Sequence, residues 1–410
     1  MRSRQWLFPG TIALLVLIPT LGRAQDTSDL QSKVSQHLET LRQELVDVRR
    51  DLHRNPEVSG EEQRTAGIVA ERLRRLGITV RTGIGGHGVV GVLEGSQPGP
   101  VVAFRADMDA VASNAPDPVE FRSLRPGVRH ICGHDIHTTI ALALAEGFAA
   151  VRDQLRGSIL FVFQPAEERA SGARAMLADE VFREVKPDAI FAYHTAPFNV
   201  GQLATASETL MAWRDRVSVT LFGSGDLEAA ADEIRNRIRE VGTVSPERAA
   251  AATPYDALFV QVARTRRVSA DRVVVTATIS TANPSARRLV EAQVAQLDFD
   301  DVSLQIRYES KWVAGVTNDP ELVLQAQRSV ATVVGPDNVR LLSTVNPAFS
   351  EDFGSFQQEV PGVMFFLGVS NPDEGWVGMP HTPDYVADEE SILVGARAMS
   401  AVFLDFLNGR

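Results

Sequence analysis

Residues 159–168 read ILFVFQPAEE, an apolar run that ends in two adjacent carboxylates. The run is short and rich in β-branched and aromatic residues, which predicts a buried strand. Similar runs at 89–93, 101–104 and 189–193 alternate with helical patterns such as the one at 137–155. Strands that alternate with helices predict the α/β class, with a mostly parallel sheet sandwiched by helices.

The part of the chain from about residue 214 to 308 follows a different pattern. Alternating runs predict strands at 217–221, 258–263, 273–279 and 302–306, and helical spacing predicts helices at 227–241 and 284–297. The order strand, helix, strand, strand, helix, strand is that of a ferredoxin-like unit. We therefore predict a discontinuous catalytic domain, 25–213 and 311–410, with an inserted α+β lid domain at 214–310.

Polar side chains follow three of the predicted strands. Asp107, the pair Glu167 and Glu168, and His194 each come directly after an apolar run. In open α/β sheets, catalytic groups gather at the carboxyl ends of the strands. We expect these side chains to lie together at one edge of the sheet.

The single cysteine, Cys132, lies in the run RHICGHDIH at residues 129–137. A thiolate and a neutral imidazole both bind metal ions, and a kink at Gly133 would let Cys132 and His134 face one ion. The alternative is a small buried apolar residue, as most free cysteines are. The nearby histidine, the downstream glutamate pair and His381, in the run MPHTP, favour a metal-dependent hydrolase.

The N-terminus has the layout of a secretory signal. Arg2 and Arg4 precede an apolar stretch from residue 11 to 21, and Gly22-Arg23-Ala24 resembles a cleavage site. We therefore expect residues 1–24 to be removed and the protein to be exported, to the periplasm or outside the cell, with no membrane span afterwards. The formal net charge of -11, from 52 acidic and 41 basic residues, argues against a nucleic-acid or anionic-membrane partner.

Several motifs in this order resemble the dinuclear-metal amidohydrolase and carboxypeptidase family, which includes aminoacylases, hippurate hydrolases and plant hydrolases of indole-acetic acid conjugates. The motifs are LHRNPE at 52–57, RADMDA at 105–110, CGHD at 132–135, FQPAEE at 163–168, SEDF at 350–353 and HTP at 381–383. The resemblance implies that two divalent ions, such as zinc, manganese, cobalt or nickel, bind to Cys132, His134, Glu168, His194 and His381. It also implies that Glu167 is the general base.

Three further residues, Asp107, Asp135 and His137, are candidates to orient the metal ligands without binding metal themselves. Asp107 could instead belong to a solvated turn at the strand end, and His137 could simply start a helix. His53 is expected to pack rather than to bind metal.

The chemistry of these residue types agrees with the roles that the resemblance implies. Two cations held by thiolate, imidazole and carboxylate can share a water, lower its pKa and polarise an amide carbonyl. A glutamate that binds no metal can take the proton of the water and return it to the leaving nitrogen.

The lid departs from the pattern of this family. Family members carry a Gly-Gly-His motif early in the lid, and later an asparagine and an arginine that help to bind the substrate carboxylate. Here residues 222–228 read FGSGDLE, residues 268–273 and 278–281 lack the expected asparagine and arginine, and no histidine occurs between His194 and His381.

Three interpretations of this departure are open. Other lid groups, such as Arg264, Arg266 or Arg267, replace the missing residues; or the substrate lacks the usual free carboxylate; or the protein binds metal and ligand without efficient turnover.

The sequence predicts an exported hydrolase that cleaves the amide bond of N-acyl amino acids or related small amides and peptides. One alternative is a catalytically impaired metal- or ligand-binding homologue. Another is an aminopeptidase whose atypical lid uses acidic residues such as Asp226 or Glu228 to recognise a free amine. A homodimer through the lid is a further expectation.

Overall fold

The structure is a computed structural model that describes residues 20–244, 258–263, 265–283, 287–343, 346–347 and 349–409. Residues 1–19 of the predicted signal lie outside this range, and the predicted cleavage site after Ala24 falls inside the first helix. Among the described residues, every helix is too short or too polar to span a membrane.

The helices are α1 (Thr20–Thr40), α2 (Arg42–Arg54), α3 (Gln63–Arg75), α4 (His134–Ala149), α5 (Gly172–Ala178), α6 (Leu227–Glu240), α7 (Arg287–Ala295), α8 (Pro320–Val334) and α9 (Glu390–Leu407). The strands are β1 (Thr79–Ile84), β2 (Gly88–Glu94), β3 (Gln97–Asp107), β4 (Val111–Ala112), β5 (Val128–Arg129), β6 (Arg156–Gln164), β7 (Ala189–Asn199), β8 (Leu203–Thr205), β9 (Glu208–Thr209), β10 (Trp213–Gly223), β11 (Leu258–Val262), β12 (Arg266–Ser269), β13 (Arg272–Thr281), β14 (Val302–Val313), β15 (Thr317–Asn318), β16 (Val339–Leu341) and β17 (Gly362–Ser370). Short 3₁₀ helices include Asp352–Gln358.

Eight strands form the central sheet in the order β1-β2-β6-β3-β7-β17-β8-β16. The pairs β6–β3, β3–β7, β7–β17 and β8–β16 are parallel, and the pairs β1–β2, β2–β6 and β17–β8 are antiparallel. The prediction of a mostly parallel sheet is therefore confirmed. Its continuous apolar strands follow from burial on both faces.

Neighbouring residues of β6 show this double burial. Phe161 packs into a core formed with α4, α8 and α9, whereas Leu160 and Val162 pack into a second core with α5 and the 3₁₀ helix Asp352–Gln358. Successive side chains of a strand point to opposite faces, so helices cover the sheet on both sides.

The carboxyl ends of the central strands meet at one edge, as the sequence predicts. In the β3–β6 ladder, Asp107 pairs with Gln164, which places the residues after β6 beside the end of β3. The prediction that His194 follows its strand is wrong, because β7 continues to Asn199 and pairs with β17 beyond the last pair of the β3–β7 ladder. Backbone pairing with β17 extends the strand past the apolar run from which its end was predicted.

The second sheet has the strand order β11-β13-β10-β14 with β12 paired to β13, and every pairing is antiparallel. Together with α6 and α7 this is the predicted ferredoxin-like unit. The predicted limits of the lid, 214 and 310, fall inside β10 and β14. Dimerisation through this unit stays a prediction.

Asn318 connects several backbone segments of the catalytic part. Its buried side-chain amide donates to Thr205 Oγ1 at 2.9 Å, to the Ala206 carbonyl at 3.0 Å and to the Met364 carbonyl at 3.2 Å. Its side-chain oxygen accepts from the Met364 amide at 2.9 Å and from Gln357 Nε2 at 3.2 Å. The side chain thus satisfies polar groups of β8, of β17 and of the 3₁₀ helix.

We expect Asn318→Ala to lower the free energy of unfolding by about 2–4 kcal/mol, because several buried polar groups lose their partner at once. Urea unfolding followed by circular dichroism measures this change. The matched control is Asn338→Ala, which removes one bond from Nδ2 to the Val334 carbonyl at a partly exposed helix end, and should cost less than about 1 kcal/mol. Equal losses in the two variants would contradict this account.

Candidate metal centre

The Cys132–His134 turn is built around Gly133, the N-cap residue of α4, with a φ of +85°. A Cβ atom on Gly133 would lie 2.6 Å from Thr195 Cγ2 and would also collide with the hydroxyl of Tyr385. The Thr195 hydroxyl donates to the Cys132 carbonyl at 2.6 Å. A glycine is therefore required both by the left-handed backbone and by the close approach of β7, and the turn holds Cys132 and His134 at the strand edge.

The five predicted metal ligands converge in pairs and triplets. Cys132 Sγ lies 3.6 Å from His194 Nε2. Donor atoms of Cys132, His134 and Glu168 lie within 4.8 Å of one another. His381 Nε2 lies 3.3 Å from Glu168 Oε1. Glu168 therefore has both His381 and the Cys132–His134 pair as neighbours. The structure thus brings together a thiol, three imidazoles and a carboxylate from distant parts of the sequence.

The hydrogen bonds of His194 determine which ring nitrogen is available. Its Nδ1 lies 2.8 Å from the Thr195 carbonyl, which accepts only from a protonated nitrogen. The neutral ring then leaves Nε2 as an unprotonated donor that faces Cys132. Burial lowers the pKa of His194 to about 3, which favours this neutral form.

His134 is surrounded by carboxylates. Its Nδ1 lies 3.3 Å from Asp109 Oδ1, and its Nε2 lies 3.8 Å from both Glu167 Oε2 and Glu168 Oε1. Burial lowers the pKa of His134, but Asp107 and Asp109 outweigh burial and raise it to about 10. A carboxylate behind a histidine ring is the usual arrangement of a metal-binding histidine.

These charges fit a bound cation. Burial, followed by the charges of Glu168 and Glu167, raises the pKa of the Cys132 thiol, so that its thiolate form needs a positive partner. Burial also raises the pKa of Glu168, but hydrogen bonding to His381 and the charge of His134 bring it below its usual range. In the described chain, Glu168 Oε1 and both ring nitrogens of His134 lie buried without a well-directed hydrogen bond. The donor set therefore fits divalent ions that accept thiolate, imidazole and carboxylate.

Glu167 is held by its backbone rather than by its side chain. The amides of Glu167 and Glu168 donate to the two carboxylate oxygens of Asp109 at 3.1 and 3.0 Å. The preceding residue, Ala166, has a φ of +52°, and its amide donates to Glu62 Oε1 at 2.8 Å. These bonds fix an uncommon backbone turn. The turn directs Glu167 towards Asp107 and Glu351, and Glu168 towards the predicted metal-binding histidines.

The carboxyl group of Glu167 lies in an acidic, buried setting. Oxygen atoms of Asp107, Glu167 and Glu351 lie within 4.8 Å of one another. Burial and the charges of Glu351 and Glu168 raise the pKa of Glu167 well above its usual range. A carboxylate with a raised pKa is a stronger proton acceptor than an ordinary one.

Arg105 balances part of this negative charge. Its fully buried guanidinium donates to Asp107 Oδ2 at 2.6 Å, to Glu351 Oε1 at 2.7 Å and to Asp352 Oδ1 at 3.3 Å. Gln164 Nε2 also donates to Asp352, at 2.6 Å. The bonds of Arg105 and Gln164 therefore connect β3, the end of β6 and the 3₁₀ helix beneath the site.

Asp107 and His137 have the supporting positions that the sequence predicts. His137 Nδ1 lies 2.6 Å from Asp107 Oδ1, and the Thr195 amide donates to His137 Nε2 at 2.9 Å. Both ring nitrogens are therefore engaged, and His137 orients Asp107 and β7. The alternative of a solvated turn is wrong for Asp107, which is fully buried.

Asp135 also has a supporting position. Its Oδ2 lies 2.9 Å from Arg49 Nε and 2.8 Å from His53 Nδ1. His53 makes an edge-to-face contact with Phe121, as expected of a packing residue, but it also bonds Asp117 through Nε2 at 3.2 Å. Sequence reasoning missed Arg49, Asp117 and Glu62, because their roles depend on partners that lie far away in the chain.

Several lid residues that the sequence suggested for substrate binding make contacts within the lid. Arg266 and Arg267 are exposed, and Arg267 Nη2 pairs with Glu228 Oε1 at 2.7 Å. Asp226 caps α6 by accepting from the Ala229 amide at 3.1 Å. Arg264 lies outside the described residues. Arg267, Glu228 and Asp226 therefore have contacts within the lid itself.

Comparison with known proteins identifies the class. Residues 103–405 match the model of Peptidase family M20/M25/M40. A putative amidohydrolase, YhaA of Bacillus subtilis strain 168, is 28% identical over 396 residues, which cover 92% of this chain and 98% of that protein. N-acetyldiaminopimelate deacetylase of Brevibacillus brevis is 30% identical over 384 residues, which cover 88% of this chain and 97% of that protein.

A solved structure gives the same result. The YXEP protein of Bacillus subtilis, described as a dinuclear metal binding peptidase, superposes with a TM-score of 0.74 and 26% identity, over 90% of this chain and 99% of that chain. The chain belongs to Peptidase family M20/M25/M40, and it is a metal-dependent hydrolase of amide or peptide bonds.

We expect Gly133→Ala to displace the Cys132–His134 turn and lower metal binding by at least about tenfold, because the new Cβ collides with β7 as well as straining the backbone. Metal content measured by inductively coupled plasma mass spectrometry after reconstitution tests this.

The matched control is Gly127→Ala. Gly127 has a similar φ of +75°, but the nearest atom to its added Cβ would be Asn114 Oδ1 at 3.5 Å. In this variant the alanine is strained by the positive φ, but its Cβ collides with nothing, so the protein should keep its metal. Equal metal loss in both variants would show that close packing at Gly133 is not the cause.

Proposed function

We propose that this protein hydrolyses the amide bond of N-acyl amino acids, or of related small amides and peptides, with the help of two divalent ions. The observation that supports this most directly is the convergence of Cys132, His134, Glu168, His194 and His381 beside one glutamate, Glu167, that is held in place by backbone bonds. Five donors are more than one tetrahedral ion requires.

The metal ligands form two groups, according to which other ligands each one contacts. Glu168, which contacts both His134 and His381, would hold metal together with these two histidines. The neutral Nε2 of His194 and the sulfur of Cys132 face one another and suit one ion together. Divalent ions at this place would supply Lewis acidity, which lowers the pKa of a water and polarises the amide carbonyl.

Glu167 would act as the base. Its carboxylate can accept a proton from the attacking water and pass it to the nitrogen of the leaving amine. The Asp109 bonds to the amides of Glu167 and Glu168 keep the base and its metal-binding neighbour at a fixed separation. Glu351 lies close to Glu167, and both Glu351 and its partner Arg105 are fully buried, so this side of the base would be shielded from water.

The substrate class is inferred from relatives. The name of N-acetyldiaminopimelate deacetylase describes removal of an acetyl group from an amino acid nitrogen, and that protein aligns along almost its whole length. The identity of the metal is open among zinc, manganese, cobalt and nickel. From the N-terminal pattern we also infer export, which fractionation of cells that express the full chain would test.

We expect Glu167→Gln to keep its bound metal and to lose about 10²- to 10⁴-fold in kcat, because the neutral side chain cannot accept the proton. Release of free amine from a panel of N-acyl amino acids, dipeptides and neutral amides, measured with each metal in turn, gives the rates. Metal content is measured on the same samples.

Two variants serve as controls. Glu168→Gln should lose metal together with activity, because it removes a metal ligand. Glu180→Gln changes an exposed glutamate between α5 and β7 and should behave as the parent. If the parent binds metal but releases amine from no member of the panel, the protein is a binding homologue. If it acts only on substrates with a free amino group, it is an aminopeptidase.

A further inference from the structure

The helix-free face of the lid sheet carries an arginine, Arg214, at the end of the sheet that meets the catalytic part. In β10, Val217, Val219 and Leu221 pack with α6 and α7. Because side chains alternate along a strand, Arg214 lies on the opposite face. Its cross-strand neighbour on β13 is Ser280, which shares that face.

Burial shows that this end of the helix-free face is covered. Ser280 is only 1% exposed although α6 and α7 lie on the other side of the sheet, and Arg214 is half-buried. The strand β14, which pairs Val313 with Arg214, contacts the 3₁₀ helix Asp352–Gln358 of the catalytic part. The lid sheet thus meets the catalytic part at Arg214.

Close backbone packing brings the segment that contains Arg214 against the segment that contains Glu351. A Cβ on Gly315 would lie 2.7 Å from both Met211 O and Trp213 Cδ1, and a Cβ on Gly354 would lie 2.5 Å from Ala314 O. Gly354 follows Glu351, which is a close neighbour of Glu167. The segments that contain Arg214, Gly315 and Glu351 therefore pack directly against one another. Burial lowers the pKa of Arg214, and the charge of Glu167 opposes this effect.

We propose that Arg214 binds the carboxylate of the substrate, and that it replaces the carboxylate-binding groups that this lid lacks. This rests on the proposed function, because it assigns a substrate group to the same site. A guanidinium binds a carboxylate through two parallel hydrogen bonds, and partial desolvation strengthens that pairing. An N-acyl amino acid with a free carboxylate would extend from the metal ligands to Arg214, with its scissile amide at Glu167.

The neighbouring Arg216 provides a matched control. It lies on the same face two residues further along β10, but its guanidinium stacks 3.8 Å from the ring centre of Trp312 and pairs with Glu309 at 3.6 Å. Its charge is therefore engaged within the lid, and Arg216→Met should leave substrate preference unchanged.

The test compares an N-acetyl amino acid with its carboxamide, which has the same scissile bond but no carboxylate. We expect Arg214→Met to lower kcat/KM for the acid about 10- to 100-fold and to leave the carboxamide within about threefold, since a hydrogen bond to a charged group is lost for the acid alone. Arg214→Lys should recover part of the loss. Equal losses on both substrates, or no loss on either, would overturn the proposal.

A second readout does not depend on turnover. Calorimetric titration of the metal-free protein with the same two compounds should show a preference for the acid that Arg214→Met removes and Arg216→Met retains. If the parent hydrolyses neither compound but shows this preference, the proposed function fails and the role of Arg214 stands. If the parent does hydrolyse them but neither measurement shows a preference for the acid, the role of Arg214 is wrong and the hydrolase assignment stands.

Discussion

The buried guanidinium of Arg105 holds the acidic edge of the central sheet together. It bonds Asp107 at the end of β3, and Glu351 and Asp352 at the start of the 3₁₀ helix. Like charges packed this closely repel one another, and a buried carboxylate without a partner costs several kcal/mol. Without this cation, the carboxylates beneath the site would have to take up protons or separate.

Two sets of contacts connect the Arg105 cluster to the metal ligands and to the catalytic base. On one side, Asp107 bonds His137, and His137 accepts from the Thr195 amide next to His194. On the other side, Glu351 lies against Glu167, whose backbone is fixed by Asp109. The metal ligands and the base therefore rest on one rigid network, which suits a reaction that depends on the placement of atoms to within a fraction of an ångström.

Much of the fold could be predicted from patterns of residues. Apolar runs at 101–104 and 159–163 predict strands buried on both faces, and the alternating runs after residue 214 predict the second sheet. The end of β7 could not be predicted in this way, because its pairing with β17 uses backbone groups and continues through polar residues. The extra strand β12 was not predicted, since its four residues are exposed and lack an apolar pattern.

In the candidate site, too, some residues could be predicted from the sequence and others could not. The local motif around Cys132, His134 and the Glu167–Glu168 pair indicated metal chemistry, because these residue types are rare in such close spacing. Glu62 gave no such signal. Its role depends on the amide of Ala166, which lies 104 residues further along the chain. The packing of the Arg214 segment near the 3₁₀ helix likewise depends on how the lid meets the catalytic part.

The sequence by itself determined the class of fold and the kind of chemistry, because hydropathy patterns and metal-binding side chains are properties of short segments. Tertiary structure alone decided which donors meet, which nitrogen of His194 is available, and which segment of the lid packs against the catalytic part. Those properties depend on contacts between distant segments, where burial sets protonation and backbone packing sets distance.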